Sequence, residues 1–95
     1  MFVCRLREGQ SVQIGDRTLT VLRIHRPGVA TVTLDGGDRF GLLWDRETTI
    51  LPDTNASVDR RKSFNDRISV HLSAPPAVKI RLFEHDRHPR PEGEP

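Results

Sequence analysis

The residues best equipped for chemistry in this chain are its arginines. Of its 15 basic residues 13 are Arg and 2 are Lys. Guanidinium forks grip phosphates and base edges bidentately and stack on flat rings, so the skew favours an RNA or phosphate partner. A GC-rich genome, which replaces Lys by Arg everywhere, produces the same skew. Other reactive groups form no constellation. His85 and His88 have H-x-x-H spacing but no Cys or third His near them, and a zinc site needs three or four organised ligands. Cys4, the single cysteine, falls on the period-two face of a strand, where a small buried thiol is expected rather than a nucleophile. It excludes an intramolecular disulfide framework and fits a reducing compartment. Asp45 and Glu47 flank Arg46 and read as a solvated strand end. Neither G-x-x-x-x-G-K-[ST] nor G-x-G-x-x-G occurs, so no phosphate-cradling loop is present. Asn55-Ala56-Ser57 matches a glycosylation acceptor without a secretory signal. The expectation is a non-enzyme with no cofactor, no metal and no small-molecule substrate.

The elements that carry these residues read as strands. Ser11–Ile14 alternates polar and apolar, Thr18–Ile24 is rich in β-branched residues, and Val29–Leu34 resumes the pattern after His25-Arg26-Pro27-Gly28. Asp35-Gly36-Gly37-Asp38 is a tight-turn signature, so Phe40–Trp44 reads as a returning strand. Strand signals return at Ile68–Leu72 and Val78–Leu82. Residues 51–67 read as a charged loop or short helix, and residues 85–95 as a disordered tail. The fold class is therefore all-β. At 95 residues, 35% hydrophobic and 29% charged, the chain is one small domain with a thin core, or an obligate oligomer that completes its core with a partner. The aromatics Phe2, Phe40, Trp44, Phe64 and Phe83 are scattered, unlike the clustered rings of a base-stacking platform. No apolar run reaches 18 residues and no signal peptide is visible, so a cytoplasmic protein without a membrane span is expected.

Met1-Phe2-Val3-Cys4, Arg7, Gly9-Gln10, Val12, Ile14-Gly15-Asp16 and Thr20-Val21-Leu22 together resemble the opening of the CsrA/RsmA family of carbon storage regulators. These are small bacterial RNA-binding proteins. Ile68-Ser69-Val70-His71-Leu72-Ser73-Ala74-Pro75 is similar to the family's fourth strand and its Ala-Pro turn, and Val78-Lys79-Ile80-Arg81 to its fifth. The family joins strands three and four by a few residues, whereas 25–66 intervene here. One reading makes 25–66 an insertion carrying the hairpin 29–44. The other makes 29–34 and 40–44 the fourth and fifth strands, with Trp44-Asp45-Arg46-Glu47 standing where the family has Val-His-Arg-Glu, and 68–82 a second copy of that pair. Ala74-Pro75 favours the first, which we adopt; Arg46-Glu47 favours the second.

The resemblance implies a small CsrA-like β-barrel or sandwich of about five core strands, in an intertwined homodimer. It implies binding to GGA hairpin loops in messenger leaders or small RNAs, and modulation of translation. Each RNA site would be composite, strand one of one subunit lying beside strand five of the other, with main-chain groups reading bases and basic side chains holding phosphates. Carried over residue by residue, the contact positions are Cys4, Arg5 and Arg7 on the first strand and Ala74, Pro75, Val78, Ile80 and Arg81 on the turn and fifth strand, with Arg46 as a further source of charge. Two family arginines fall on Leu6 and Leu82, with Arg5 and Arg81 one place early. On a strand that displacement moves a side chain to the opposite face unless a bulge restores the phase. The alternatives are a CsrA-fold relative that has lost GGA readout and acts as a protein-interaction or antagonist module, and non-specific nucleic-acid binding through Arg alone.

Overall fold

A computed structural model describes residues 1–82, so the expected tail at 85–95 lies outside the described residues. The chain is all-β. Its strands are β1 (Phe2–Leu6), β2 (Ser11–Ile14), β3 (Arg17–Arg26), β4 (Val29–Leu34), β5 (Arg39–Leu43), β6 (Thr48–Leu51), β7 (Thr54–Asp59), β8 (Ile68–Ser73) and β9 (Ile80–Leu82), with a 3₁₀ turn at Arg60–Lys62. They form two antiparallel sheets, in the orders β1-β8-β7-β6 and β5-β4-β3-β2-β9.

Period-two patterning decides which faces meet. In the first sheet Cys4 and Leu6, Ala56 and Val58, and Ile68, Val70 and Leu72 are buried. Their registers align them in rows, Cys4 opposite Val70 and Val70 opposite Val58. In the second sheet Val12, Leu19 and Leu34 form one buried row, and Val21 and Val32 another. β3 changes phase partway: Leu19 and Val21 face inward, and then Ile24 does. The register slips between Val21 and Arg23, which makes Leu22 the extra residue of a bulge. The Glu8 carboxylate accepts the Ile24 N–H at 2.7 Å beside it. The β4–β5 turn follows its sequence signature. Asp35 and Gly36 both have positive φ, as a two-residue hairpin turn of the primed kind requires. Asp35 also ties this turn to the start of β3, its carboxylate accepting from the Thr18 N–H at 2.8 Å and from Arg17 Nε.

The two halves of the chain exchange edge strands. β1, from the N-terminal half, pairs with β8, and β9, from the C-terminal half, pairs with β2. Neither sheet is complete without a strand lent by the other half.

The described residues hold nine strands rather than about five with an added hairpin. The hairpin within 29–44 is present as β4–β5. Residues 25–66 as a whole are no appendage, because they supply β4 to β7 across both sheets. The segment expected as a loop or short helix over 51–67 differs most. Thr54–Asp59 is a strand with strictly alternating burial, and the 3₁₀ turn is confined to Arg60–Lys62. Its inward residues Thr54, Ala56 and Val58 are small, so the hydrophobic signal is weak although the period is right.

Two substitutions test this register. Leu72→Ala, at a fully buried position, is expected to cost about 3 kcal/mol. Val3→Ala, on the outer face of β1, should stay within about 0.5 kcal/mol. Urea denaturation of both variants measures the contrast; equal losses contradict the assigned faces.

Candidate nucleic-acid interface

β1 and β9 each end a sheet, so each keeps one edge without a neighbouring strand among the described residues. Such an edge presents a row of main-chain N–H and C=O groups to solvent. One end of each strand reaches a common groove. Met1 and Phe2 from the β1 end, Ala74 and Pro75 after β8, and Val78 and Ile80 at β9 line one groove of about 190 Å³. Prolines 75 and 76 lack N–H donors, which ends β8 there and stiffens the groove wall. The chain then turns with Val78 N–H on Pro75 O at 2.9 Å, and Gly15 N–H anchors the far side by bonding Lys79 O at 2.7 Å. A second cavity of about 510 Å³, lined by Gly15, Ala77, Val78, Lys79 and Arg81, shares Val78 with the first.

Alternation along the strands decides which side chains reach these cavities. Val3 and Arg5 are exposed on β1, whereas Cys4 and Leu6 are buried. On β9, Arg81 is exposed between Ile80 and Leu82, which pack against the core. The displaced arginines therefore both face solvent, and the leucines at the neighbouring positions face inward. Arg7, just past β1, is exposed, its N–H donating to Gln10 Oε1 at 2.8 Å. Arg5, Arg7, Lys79 and Arg81 form no ion pair among the described residues. Their charge is available to a partner.

Of the positions carried over from the resemblance, Ala74, Pro75, Val78 and Ile80 line the groove, Arg81 lines the adjoining cavity, and Arg5 and Arg7 stand exposed on the β1 side. Cys4 is different. Its side chain is 5% exposed within the core, and burial pushes its thiol up to about 12. Its main chain alone can contribute. Arg46 is elsewhere: it follows β5, and β5 and β6 lie at the opposite ends of their sheets from β9 and β1. Its guanidinium sits 3.6 Å from the Asp45 carboxylate.

Sequence reading missed Met1, Phe2 and Lys79 as groove or cavity residues. Lys79 was legible, since in extended chain it shares a side with Arg81 two places on. The first two were not, because their neighbour in space comes from the other end of the described chain. Among the described residues no group of three His, Cys, Asp or Glu is placed to hold a metal, and the His85–His88 pair lies outside them. An apolar slot with a proline wall, beside a cavity lined by Lys79 and Arg81, suits a ligand with a flat apolar part and a flanking anionic group.

The burial of Cys4 has a pH signature. Above about pH 9 the unfolded thiol ionises while the folded one keeps its proton until about pH 12. The unfolded chain then binds fewer protons, so stability falls as pH rises through this window, by at most about 1.4 kcal/mol per pH unit. Below pH 9 the thiol contributes no slope. Urea titrations between pH 8 and 10.5 should show a steeper decline for the wild type than for Cys4→Ala; parallel curves contradict a buried thiol. Comparison of the chain with protein-family models, with curated proteins and with solved structures finds no match.

Proposed function

We propose that this chain is an RNA-binding regulator of translation that takes a GGA-type hairpin loop, in a messenger leader or a small RNA, across the groove between β1 and β9. The observation that carries the reading is the convergence of the starts of β1 and β9 on that groove. The strands whose sequences most resemble the CsrA/RsmA contact strands come from opposite ends of the described chain, yet line one groove. In this reading the edge main chain of β1 and β9 reads base edges, including the main chain of Cys4. Arg5, Arg7, Lys79 and Arg81 hold phosphates, a role for which fixed guanidinium forks are suited. A structured loop held there would be closed to a ribosome when it overlaps the start site.

The resemblance carries with it a homodimer with two equivalent sites. Because the strand exchange is made within the chain, we assign one groove to each chain, and a second copy is not needed to complete the core. The alternative, a fold that has lost GGA readout and engages proteins, draws on Leu6 and Leu82 facing inward where the family has arginines. It is an outcome of the same experiment.

A gel-shift titration at one stated salt concentration compares a hairpin displaying GGA with the same stem carrying a permuted loop. The GGA loop should bind at least tenfold more tightly. Arg7→Ala and Arg81→Ala should each weaken it by about tenfold or more, as loss of a hydrogen bond to a charged group costs about 1.5–3 kcal/mol. Light scattering on the complex should give one hairpin per chain. Equal affinity for the two loops contradicts specific readout.

A further inference from the structure

Trp44 stands out on the far side of the molecule. It follows β5, at the sheet ends opposite β1 and β9, and is 49% exposed. A large apolar ring left half in water is an unusual use of the most hydrophobic surface available to a thin core. The ring is nevertheless held. Gly28, at φ +89°, lies directly beneath it: a Cβ there would come within 3.0 Å of Trp44 Cδ1 and 3.1 Å of its Cβ. The Arg60 guanidinium sits 4.9 Å from the ring centroid. Cavities open on both sides of this pair. One, of about 290 Å³, is lined by Arg26, Pro27, Trp44 and Arg60, and the other, of about 690 Å³, by Trp44, Val58, Asp59, Arg60 and Arg61.

The charge around the ring is mainly positive, with Arg60 lying over the indole. Arg26, Arg60 and Arg61 have no ion-pair partner among the described residues. The nearby carboxylates are engaged: Asp59 accepts the Arg61 N–H at 3.0 Å and faces His71 Nε2 at 3.8 Å, and Asp45 faces Arg46. Lys62 adds to the run. An indole capped by the Arg60 guanidinium and bordered by Arg26 and Arg61 matches single-stranded nucleic acid, whose bases stack on guanidinium planes and aromatic rings while its phosphates take the charges. An acidic peptide would use the charges and leave the ring idle.

We propose that Trp44, Arg26, Arg60 and Arg61 form a second nucleic-acid contact, in which an unpaired base stacks on the Arg60–Trp44 pair and its flanking phosphates are held by Arg26 and Arg61. The contact does not depend on the β1–β9 groove. It gives the chain a grip on unpaired sequence beside whatever the groove holds, and the two together would raise the effective concentration of each.

Trp44 is the sole tryptophan of the chain, so its fluorescence reports this site directly. The full-length protein is titrated with short oligoadenylate that contains no GGA, in ribo and deoxyribo forms, and separately with inorganic polyphosphate and polyglutamate. Oligoadenylate should quench the emission saturably and bind at least fivefold more tightly than either base-free polyanion. Arg60→Ala and Arg61→Ala should weaken it by fivefold or more, while Arg39→Ala, which removes an exposed arginine at the other end of β5, leaves it unchanged. Anisotropy of a labelled oligoadenylate should show at least a tenfold loss for Trp44→Ala, with circular dichroism confirming that the variant is folded; if it is not, the arginine variants carry the test. Unchanged emission, equal binding of polyphosphate or polyglutamate, or indifference to Arg60→Ala and Arg61→Ala would overturn the proposal. Loss of GGA preference in the hairpin titration would leave it standing.

Discussion

The architecture depends on the pairing of β1 with β8. Phe2, Cys4 and Leu6 stand opposite Leu72, Val70 and Ile68, so the first strand of the chain is seated on the last strand of the first sheet by three consecutive apolar pairs. Cross-strand pairs of this kind are the unit of sheet stability. The reciprocal pairing, β9 against β2, sets Ile80 opposite Ile14 and Leu82 opposite Val12. These two seams lock the halves of the chain into one core. They also bring the start of β1 and the start of β9 to one groove, which is a consequence of how the core is closed.

The same seams answer the difficulty of size. A chain this short buries a modest share of its surface, and separate halves would each be too small to hold a core. Lending one strand in each direction gives a four-stranded and a five-stranded sheet that face each other across a shared interior. The placement of charge follows. Apolar residues occupy the inward positions, and arginines take the outer face or the turns. Arg17 serves the fold itself, bound to Asp35, whose carboxyl is held low by the Thr18 N–H and by the Arg17 guanidinium. Of the others, Arg81 lines the cavity beside the groove, Arg5 and Arg7 stand exposed on and just past β1, and Arg26, Arg60 and Arg61 line the cavities at Trp44. A net charge of +2 conceals this separation.

How much was legible in the sequence depended on the range of the interaction concerned. The β2, β3 and β4 strands announce themselves by β-branched alternation, and Asp35-Gly36 by the demand for positive φ. β6 and β7 do not, because Thr-Asn-Ala-Ser reads locally as a loop and becomes a strand through tertiary pairing with β8. The β1 side of the site was legible through period two, which already placed Cys4 in the core. The groove was not, since it joins Met1 and Phe2 to Val78 and Ile80 across nearly the whole described chain. The Arg60–Trp44 contact escaped for the same reason: nothing local to either residue names the other.

The central claim is that β1 and β9 form one recognition surface. Amide hydrogen exchange, read residue by residue on the free protein and on its complex with a GGA hairpin, tests it most directly. The account predicts new protection along residues 2–7 and 74–82 together, with β5 and β6 unchanged on a hairpin that lacks unpaired flanks. Protection confined to one of the two edges, or found elsewhere with both unaffected, would contradict it.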